Sequence, residues 1–385
     1  MAKALATRGH RVSMFLPPWQ NPEAAGERWE EGGVRVETIA LPPSIPGFFH
    51  GATALRLARK ALAARPDVVH LFKPKAYSGL VHWLLARLPH GRRPRLVVDA
   101  DDWEGPGGWN ALGDYTGLER RFFTWQERWG LSHADAVTVA SRTLESLVWA
   151  MGVPPERVFY VPNGVTRAEE VRRQEGEGGV QTILLYTRFF EFAISRVIDV
   201  LRLVRERVPG AELMVVGKGL FGEEEELFRL SAAAGLEVAH AAGFTDGEPR
   251  ELRDGTEDAD VRYVGWVEPE RLPSAFAQAD VAIYPFDDTL VNRAKCAVKL
   301  GDLLAAGVPV VAEAVGQNEA YIRDGETGFL VAPGDVEAFA DAVARLLETP
   351  ALGQRVGRAA ARDVEERFGW GRLVETVERA YGAGA

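Results

Sequence analysis

Two kinds of apolar pattern alternate along the chain. Short apolar runs at Val12–Leu16, Asp67–Phe72, Arg95–Val98, Ala136–Ala140 and Val158–Val161 read as buried strands, and Val34–Leu41, alternating apolar with polar, reads as a half-buried one. Between them, residues 52–64, 78–88, 117–131 and 142–151 carry apolar positions at helical spacing, and Ala2–Gly9 reads as the tail of a helix closed by Gly9-His10. Strands alternating with helices predict a parallel α/β sheet. Pro162-Asn163-Gly164 is a turn, and the charged, glycine-rich stretch 166–179 has no period, which marks a boundary. The alternation then restarts. Strands are predicted at Thr182–Tyr186, Glu212–Val216, Val261–Val264, Val281–Tyr284, Val308–Ala312 and Gly328–Val331, with helices at 194–207, 223–234, 270–278, 293–306 and 335–348. A last helix, Arg372–Tyr381, follows Phe368-Gly369-Trp370. The predicted organisation is a domain over 1–165, a linker over 166–179, a second doubly wound domain over 180–365 and a terminal segment over 366–385.

Composition narrows the classes. A chain of 385 residues with 46% hydrophobic and 26% charged residues suits two globular domains. The net charge of −10 argues against a general nucleic-acid partner. A single cysteine, Cys296, excludes a disulfide framework and any multi-cysteine metal site. No apolar run approaches the ~18 residues of a spanning helix, and no apolar stretch of a signal peptide follows Met1. These features place the chain in the cytoplasm by expectation. The charge is uneven: residues 1–165 hold 20 Lys and Arg against 16 Asp and Glu, whereas residues 166–385 hold 25 against 39. Arginine also outnumbers lysine 38 to 7, so the lysines other than Lys3 and Lys60 (Lys73, Lys75, Lys218, Lys295 and Lys299) draw attention.

The predicted helix 293–306 would set Lys295, Lys299, Asp302 and Ala306 on one face. Two ammonium groups near the positive end of a helix dipole make an anion site, and Asp302 two turns on is placed to accept from vicinal ribose hydroxyls. The same residues also fit a plain solvated Lys/Asp face.

Several motifs carry a resemblance. In the second half these are Val264-Gly265-Trp266-Val267 with Leu272-Pro273, and Ala279-Asp280-Val281 ahead of Pro285. Leu303 through Val311, Val315-Gly316 with Glu319, and Asp324-Gly325 with Gly328 continue the series. In the first half, Gly9-His10 with Val12, Ala134-Asp135-Ala136 with Ser141, and Val161 through Val165 also match. The chain resembles a GT-B glycosyltransferase of glycosyltransferase family 4 over nearly its whole length. The resemblance implies two Rossmann-like domains facing a cleft, with the last helix crossing back to the first domain. It also implies a nucleotide-diphosphate sugar donor, a glycan or lipid-linked acceptor, transfer with retention, and no metal or other cofactor. A non-catalytic nucleotide- or glycan-binding module and a nucleotide-sugar epimerase are the alternative readings.

The sequence departs from the family pattern. Of the two glutamates usual on the donor helix, the second is Asp302 and the first position is Ala294. Of the usual arginine and lysine after the first donor-domain strand, Arg188 remains and Ala193 replaces the lysine. Lys295 and Lys299, with Lys218 from the next loop, are the expected compensation, as point charges for a diphosphate. The resemblance further implies base contacts from Gly265, Trp266 and Val267, ordering of the Val315-Gly316 loop by Glu319, and closure of the two domains over the substrates. Aligning the family's acceptor-side histidine gives Asp101, making Asp101, Arg188 and Lys295 the candidate catalytic residues; a turn or helix-capping role suits the aspartates as well.

Further motifs lie outside the predicted donor site. Asp99-Ala100-Asp101 resembles the metal-binding Asp-x-Asp of the GT-A fold, but the signature is short. The loop from Trp103 to Asn110 has no period and is a candidate acceptor loop with tryptophan platforms. Lys73 and Lys75, after a strand, are candidates for an acceptor phosphate. Residues 51–100 carry ten Lys and Arg against two Asp and Glu, and with Phe48-Phe49 they suit an anionic membrane surface, or two ordinary sheet-packing helices. Gly217-Lys218-Gly219-Leu220-Phe221-Gly222 is a literal G-x-G-x-x-G, yet it opens the second βα unit and leads into four glutamates, so an NAD site is disfavoured. Finally, the family begins with a buried strand and loop before the helix that ends in Gly-His. By that pattern about 25 residues are expected ahead of Met1, and without them two sheet edges would be unpaired.

Overall fold

The computed structural model describes residues 1–19, 21–45, 48–89, 91–166, 180–240 and 259–382. The chain forms two units: Met1–Gly164 with Ala294–Cys296 and Trp370–Ala385, and Val165–Arg293 with Ala297–Gly369. Apart from Thr166, the linker expected at 166–179 lies outside the described residues.

The first unit holds β1 (Val12–Leu16), β2 (Arg28–Glu31), β3 (Val34–Thr38), β4 (Val68–Phe72), β5 (Arg95–Ala100), β6 (Ala136–Val139) and β7 (Val158–Tyr160). They form two sheets, β1-β3-β2 and the all-parallel β4-β5-β6-β7. Leu96, Val97 and Val98 of β5 are fully buried, as a strand covered on both faces requires. β2 was not predicted, because all four of its residues are exposed. The signal that betrays it is Gly32-Gly33: both have positive φ and close a two-residue turn that pairs β2 antiparallel to β3. Among the described residues β1 and β4 each end a sheet, and Val12, Met14 and Phe15 of β1 are only half-buried.

The last helix, Trp370–Ala380, packs on this unit, placing Val374 and Val377 against Leu5 and Val161, and Ala380 against Val97 and Ala136. A buried polar chain ties it down. Tyr381 hydroxyl meets His70 Nδ1 at 2.9 Å, His70 Nε2 meets Thr138 Oγ1 at 3.1 Å, and Thr138 donates to Asp99 Oδ1. Since Thr138 spends its proton on Asp99, His70 carries its proton on Nε2 and accepts from Tyr381 on Nδ1. Burial lowers His70 to about 3, so the ring is neutral, as this direction of bonding requires.

The second unit is one parallel sheet of β8 (Gln181–Tyr186), β9 (Ala211–Val216), β10 (Val238–His240), β11 (Val261–Gly265), β12 (Val281–Tyr284), β13 (Val310–Glu313) and β14 (Phe329–Val331). Their order is β10-β11-β9-β8-β12-β13-β14. The chain builds outward from β8 on one side, then returns to lay β12 on the other. The crevice at the carboxyl ends of β8 and β12 is therefore the topological switch point, where open α/β sheets bind ligands. The helix Pro350–Phe368 was not predicted, although it buries Leu352, Val356, Ala360 and Val364 at helical spacing.

The largest correction concerns the predicted helix 293–306. It is two helices, Leu290–Ala294 and Val298–Ala305, broken at 295–297. The Ala294 carbonyl accepts from Ser141 Oγ at 2.5 Å, and the Cys296 carbonyl accepts from Asn163 Nδ2 at 2.9 Å. Two side chains thus take carbonyls that a continuous helix would use in its own ladder. Lys295 and Lys299 consequently do not share one helix face.

Candidate active site

Arg188, Lys299, Asp302 and Trp266 converge at the switch point of the second unit. Tyr186 ends β8, and Lys299 Nζ lies 5.7 Å from the centre of its ring. Burial and the nearby Asp302 push the Tyr186 hydroxyl up to about 12, while Arg188 pulls it the other way. Burial raises the Asp302 carboxyl to about 6, opposed by Lys299. Arg188 sits over the indole of Trp266, 5.5 Å from ring centre to guanidinium carbon, and Trp266 is 52% exposed. Trp266 follows Gly265 at the end of β11, and its Nε1 donates to Glu268 at 3.1 Å. A pocket here is lined by Tyr186, Thr187, Glu191, Pro285, Phe286 and Lys299, among others. The crevice thus offers two cations, a carboxylate able to accept from hydroxyls, and an exposed aromatic face.

The other predicted donor residues fall as follows. Lys218 is exposed in the loop after β9, and Val267 is buried. Gly217 has φ +127° and a Cβ there would meet the Thr187 carbonyl oxygen at 1.9 Å, so this turn admits only glycine. Glu319 is exposed in the short helix Asn318–Tyr321. Lys295 lies in the helix break and groups with the first unit. The G-x-G-x-x-G loop is already occupied, because Gly219 N–H donates to Glu224 Oε2 at 3.0 Å and Phe221 N–H to Glu223 Oε2 at 2.7 Å. Those amides would otherwise face a pyrophosphate.

In the first unit the loops after β4 and β5 meet. Lys73 Nζ lies 2.8 Å from Asp102 and 3.7 Å from Asp101, and Lys75 Nζ lies 2.7 Å from Glu104. Burial alone would lower Lys73, but Asp101 and Asp102 outweigh it and hold the ammonium above its ordinary value. Burial raises Asp101, against the pull of Lys73. Burial also brings Glu127 to about 8, so this carboxyl, which accepts from Glu104 N–H, is largely neutral at pH 7. The lysines expected to await an acceptor phosphate are therefore already matched by carboxylates. The tryptophan platforms are corrected too: Trp103 is buried with its Nε1 donating to the Pro106 carbonyl at 2.9 Å, and Trp109 is half-buried in the helix Trp109–Leu112.

Sequence reading missed Arg196 and Glu313. Glu313 ends β13 with no exposed surface, and Arg196 Nη1 donates to both its oxygens at 2.9 and 2.8 Å. A charged residue closing an apolar strand was the available signal.

Two parallel-sheet α/β units, the second with a cation-lined crevice at its switch point, define a GT-B glycosyltransferase fold. Solved structures agree. A sucrose-phosphate synthase from Thermosynechococcus elongatus superposes with a TM-score of 0.68 at 22% identity, covering 99% of this chain and 90% of that one. A glycosyltransferase from Rickettsia africae gives 0.66 at 13% identity, covering 99% and 92%. Residues 1–164 match the family model of the glycosyl transferase 4-like domain, and residues 181–349 that of glycosyl transferases group 1. The chain belongs to glycosyltransferase family 4 and is a glycosyltransferase. A phosphatidyl-myo-inositol mannosyltransferase of Mycobacterium leprae is 27% identical over 99% of this chain and 90% of that protein. A GDP-mannose-dependent alpha-(1-6)-phosphatidylinositol monomannoside mannosyltransferase of Mycobacterium tuberculosis is 24% identical over 97% and 90%.

Proposed function

We propose that the protein transfers a sugar from a nucleotide-diphosphate donor to a hydroxyl of a glycan or lipid-linked acceptor, with retention and without a metal. The observation that carries this is the grouping of Arg188, Lys299 and Asp302 around Tyr186 at the β8/β12 crevice. Arg188 and Lys299 neutralise the diphosphate as it departs, which is where charge develops. Asp302 accepts from the ribose hydroxyls, and Trp266 with its neighbours Gly265 and Val267 borders the base. Lys218 adds a further cation, and Glu319 orders the Val315-Gly316 loop beside the donor sugar. With Lys73 already on both Asp101 and Asp102, a second cation is not needed to hold that loop, which favours the metal-free reading. In this scheme Asp101 is the carboxylate nearest the acceptor.

The relatives' names put GDP-mannose first among donors and a phosphoinositide among acceptors. An acceptor of that kind places the enzyme at an anionic membrane surface on the cytoplasmic side. No helix among the described residues is long and apolar enough to cross a membrane. In the basic segment, Arg56 donates to the Ala40 carbonyl and Lys60 to Glu37, so those two charges serve the fold. A better membrane face is the helix Gly117–His133, where Leu118, Phe122 and Trp125 are 80%, 41% and 43% exposed beside the exposed Arg121 and Arg128. Thermal-shift measurements with UDP, GDP, ADP and NAD, followed by donor hydrolysis, test the reading. Stabilisation by a nucleoside diphosphate and its loss in Lys299→Ala are expected; stabilisation by NAD alone would overturn it.

A further inference from the structure

We propose that Glu313 and Arg196 are positioning residues that hold the donor pocket in shape; the inference rests on the donor reading above and concerns the same crevice. The Glu313 carboxylate has no exposed surface, and it accepts four hydrogen bonds from three donors. Arg196 Nη1 reaches both oxygens, at 2.9 and 2.8 Å, the Phe286 N–H reaches Oε2 at 2.5 Å, and the Gly334 N–H reaches Oε1 at 2.6 Å. Arg196 lies in the first turn of the helix that follows β8, Phe286 in the loop after β12, and Gly334 in the turn after β14. One carboxylate therefore joins three chain segments that leave the carboxyl end of the sheet.

The tie reaches the pocket lining by a second route. Arg196 Nη2 donates to Asp287 Oδ1 at 2.5 Å, and the Asp287 N–H donates to the Glu191 carbonyl at 2.8 Å. Asn292 Nδ2 donates to the same Glu191 carbonyl at 2.7 Å and to the Asp287 carbonyl at 2.9 Å. Glu191, Pro285 and Phe286 are all pocket residues, with Lys299 across from them. The backbone of Glu313 adds a fourth link, since its carbonyl accepts from Asn318 Nδ2 at 3.1 Å, next to Glu319. Filling space at the end of β13 does not require this arrangement, because a well-packed apolar residue does that without burying a charge. What the ion pair supplies is direction: it fixes where the β12 loop lies relative to the helix after β8, and so the width of the crevice between them. Sites of this kind lose binding when the supporting contacts slacken by an ångström or less.

The test is calorimetric titration of the whole chain with GDP and with UDP, alongside melting temperature and, with donor, KM and kcat. Asp287→Ala removes the exposed end of the tie and leaves Glu313 paired. It is expected to weaken the bound nucleotide on the order of tenfold and to raise KM more than it lowers kcat, at nearly unchanged melting temperature. Glu313→Gln is expected to weaken binding further, and Glu313→Asp to recover part of the loss. Leu347→Ala, in the core away from the pocket, serves as the control: it lowers the melting temperature but leaves nucleotide affinity alone. Wild-type affinity in Asp287→Ala, together with wild-type affinity in whichever Glu313 variant folds, would overturn the positioning role. Failure of the wild-type chain to bind either nucleotide would instead remove the donor reading, and this inference with it.

Discussion

Asp99 is the penultimate residue of β5, with its carboxyl inside the buried chain that runs to Tyr381, and this sets a sharp expectation for pH. Burial raises the group to about 7 from an ordinary 3.8, with the bond from Thr138 and the charge of Lys73 opposing. The folded chain therefore keeps a proton that the unfolded chain has released. Between those two values the native state binds more protons, so stability falls as pH rises through them and levels off above 7. From pH 5 to pH 8 this one group removes roughly 2–3 kcal/mol. Asp99→Asn keeps an oxygen for the Thr138 hydroxyl and supplies N–H in place of the acid O–H, without the ionisation. The variant should match the wild type near pH 5 and melt about 5–10 °C higher at pH 8, by the usual conversion for a unit of this size. Tryptophan fluorescence is the assay, since only Trp266 of the ten tryptophans lies in the second unit. Other carboxyls titrate too, but the difference between the two proteins isolates Asp99. Parallel melting curves for both proteins from pH 5 to 8 would refute the placement of a neutral acid in this chain.

Three further outcomes are expected. Lys299→Ala should weaken nucleoside-diphosphate binding by tenfold or more; unchanged affinity, read by calorimetry, would sink the pocket assignment. Because Asp302 titrates near 6, nucleotide affinity should fall as pH drops from 7.5 to 5.5, and Asp302→Asn should bind weakly with that slope abolished. Lys75→Met removes the cation from the buried Glu104 and the Tyr115 and Phe123 rings, 4.5 and 4.8 Å from its nitrogen, and should cost about 3–5 kcal/mol in a denaturant melt of the first unit.

How much of this was legible in the sequence depended on which force shaped each element. β5, β8, β9 and β12 are covered on both faces, so their apolar runs announce them. β2 has no buried residue, and its only mark is a pair of glycines. Pro350–Phe368 mixes Gly353, Gly357 and Asp363 with Leu352, Val356, Val364 and Phe368 on its buried face, which dilutes the periodic apolar signal. For the candidate site, Arg188, Lys299, Asp302 and Trp266 stand out by residue type, and the structure groups them at one crevice. Glu313 and Arg196 do not stand out, because their meaning lies in a contact across 117 positions that no local pattern encodes. The partners of Lys73 and Lys75 are hidden for the same reason: the carboxylates that hold them are 29 positions away.

The break at 295–297 shows how one local departure can carry function. By resemblance the donor helix begins with a glutamate where this chain has Ala294, which is fully buried. The lost carboxylate is accompanied by a lost helical turn, because the Ala294 and Cys296 carbonyls are held by Ser141 and Asn163 rather than by amides further along. Cys296 Sγ also accepts from the Asn163 N–H at 3.2 Å, so the segment is fixed from both its backbone and its side chain. Lys295 therefore owes its place to those contacts and not to helix periodicity. Val298–Ala305 in turn begins just before Lys299, which puts that ammonium in the first turn of its own helix. On the donor reading, the positive end of that helix and the lysine charge act together on the diphosphate. The break thus sets a helix start beside Lys299, in a chain that has Ala193 where the resemblance expects a phosphate lysine.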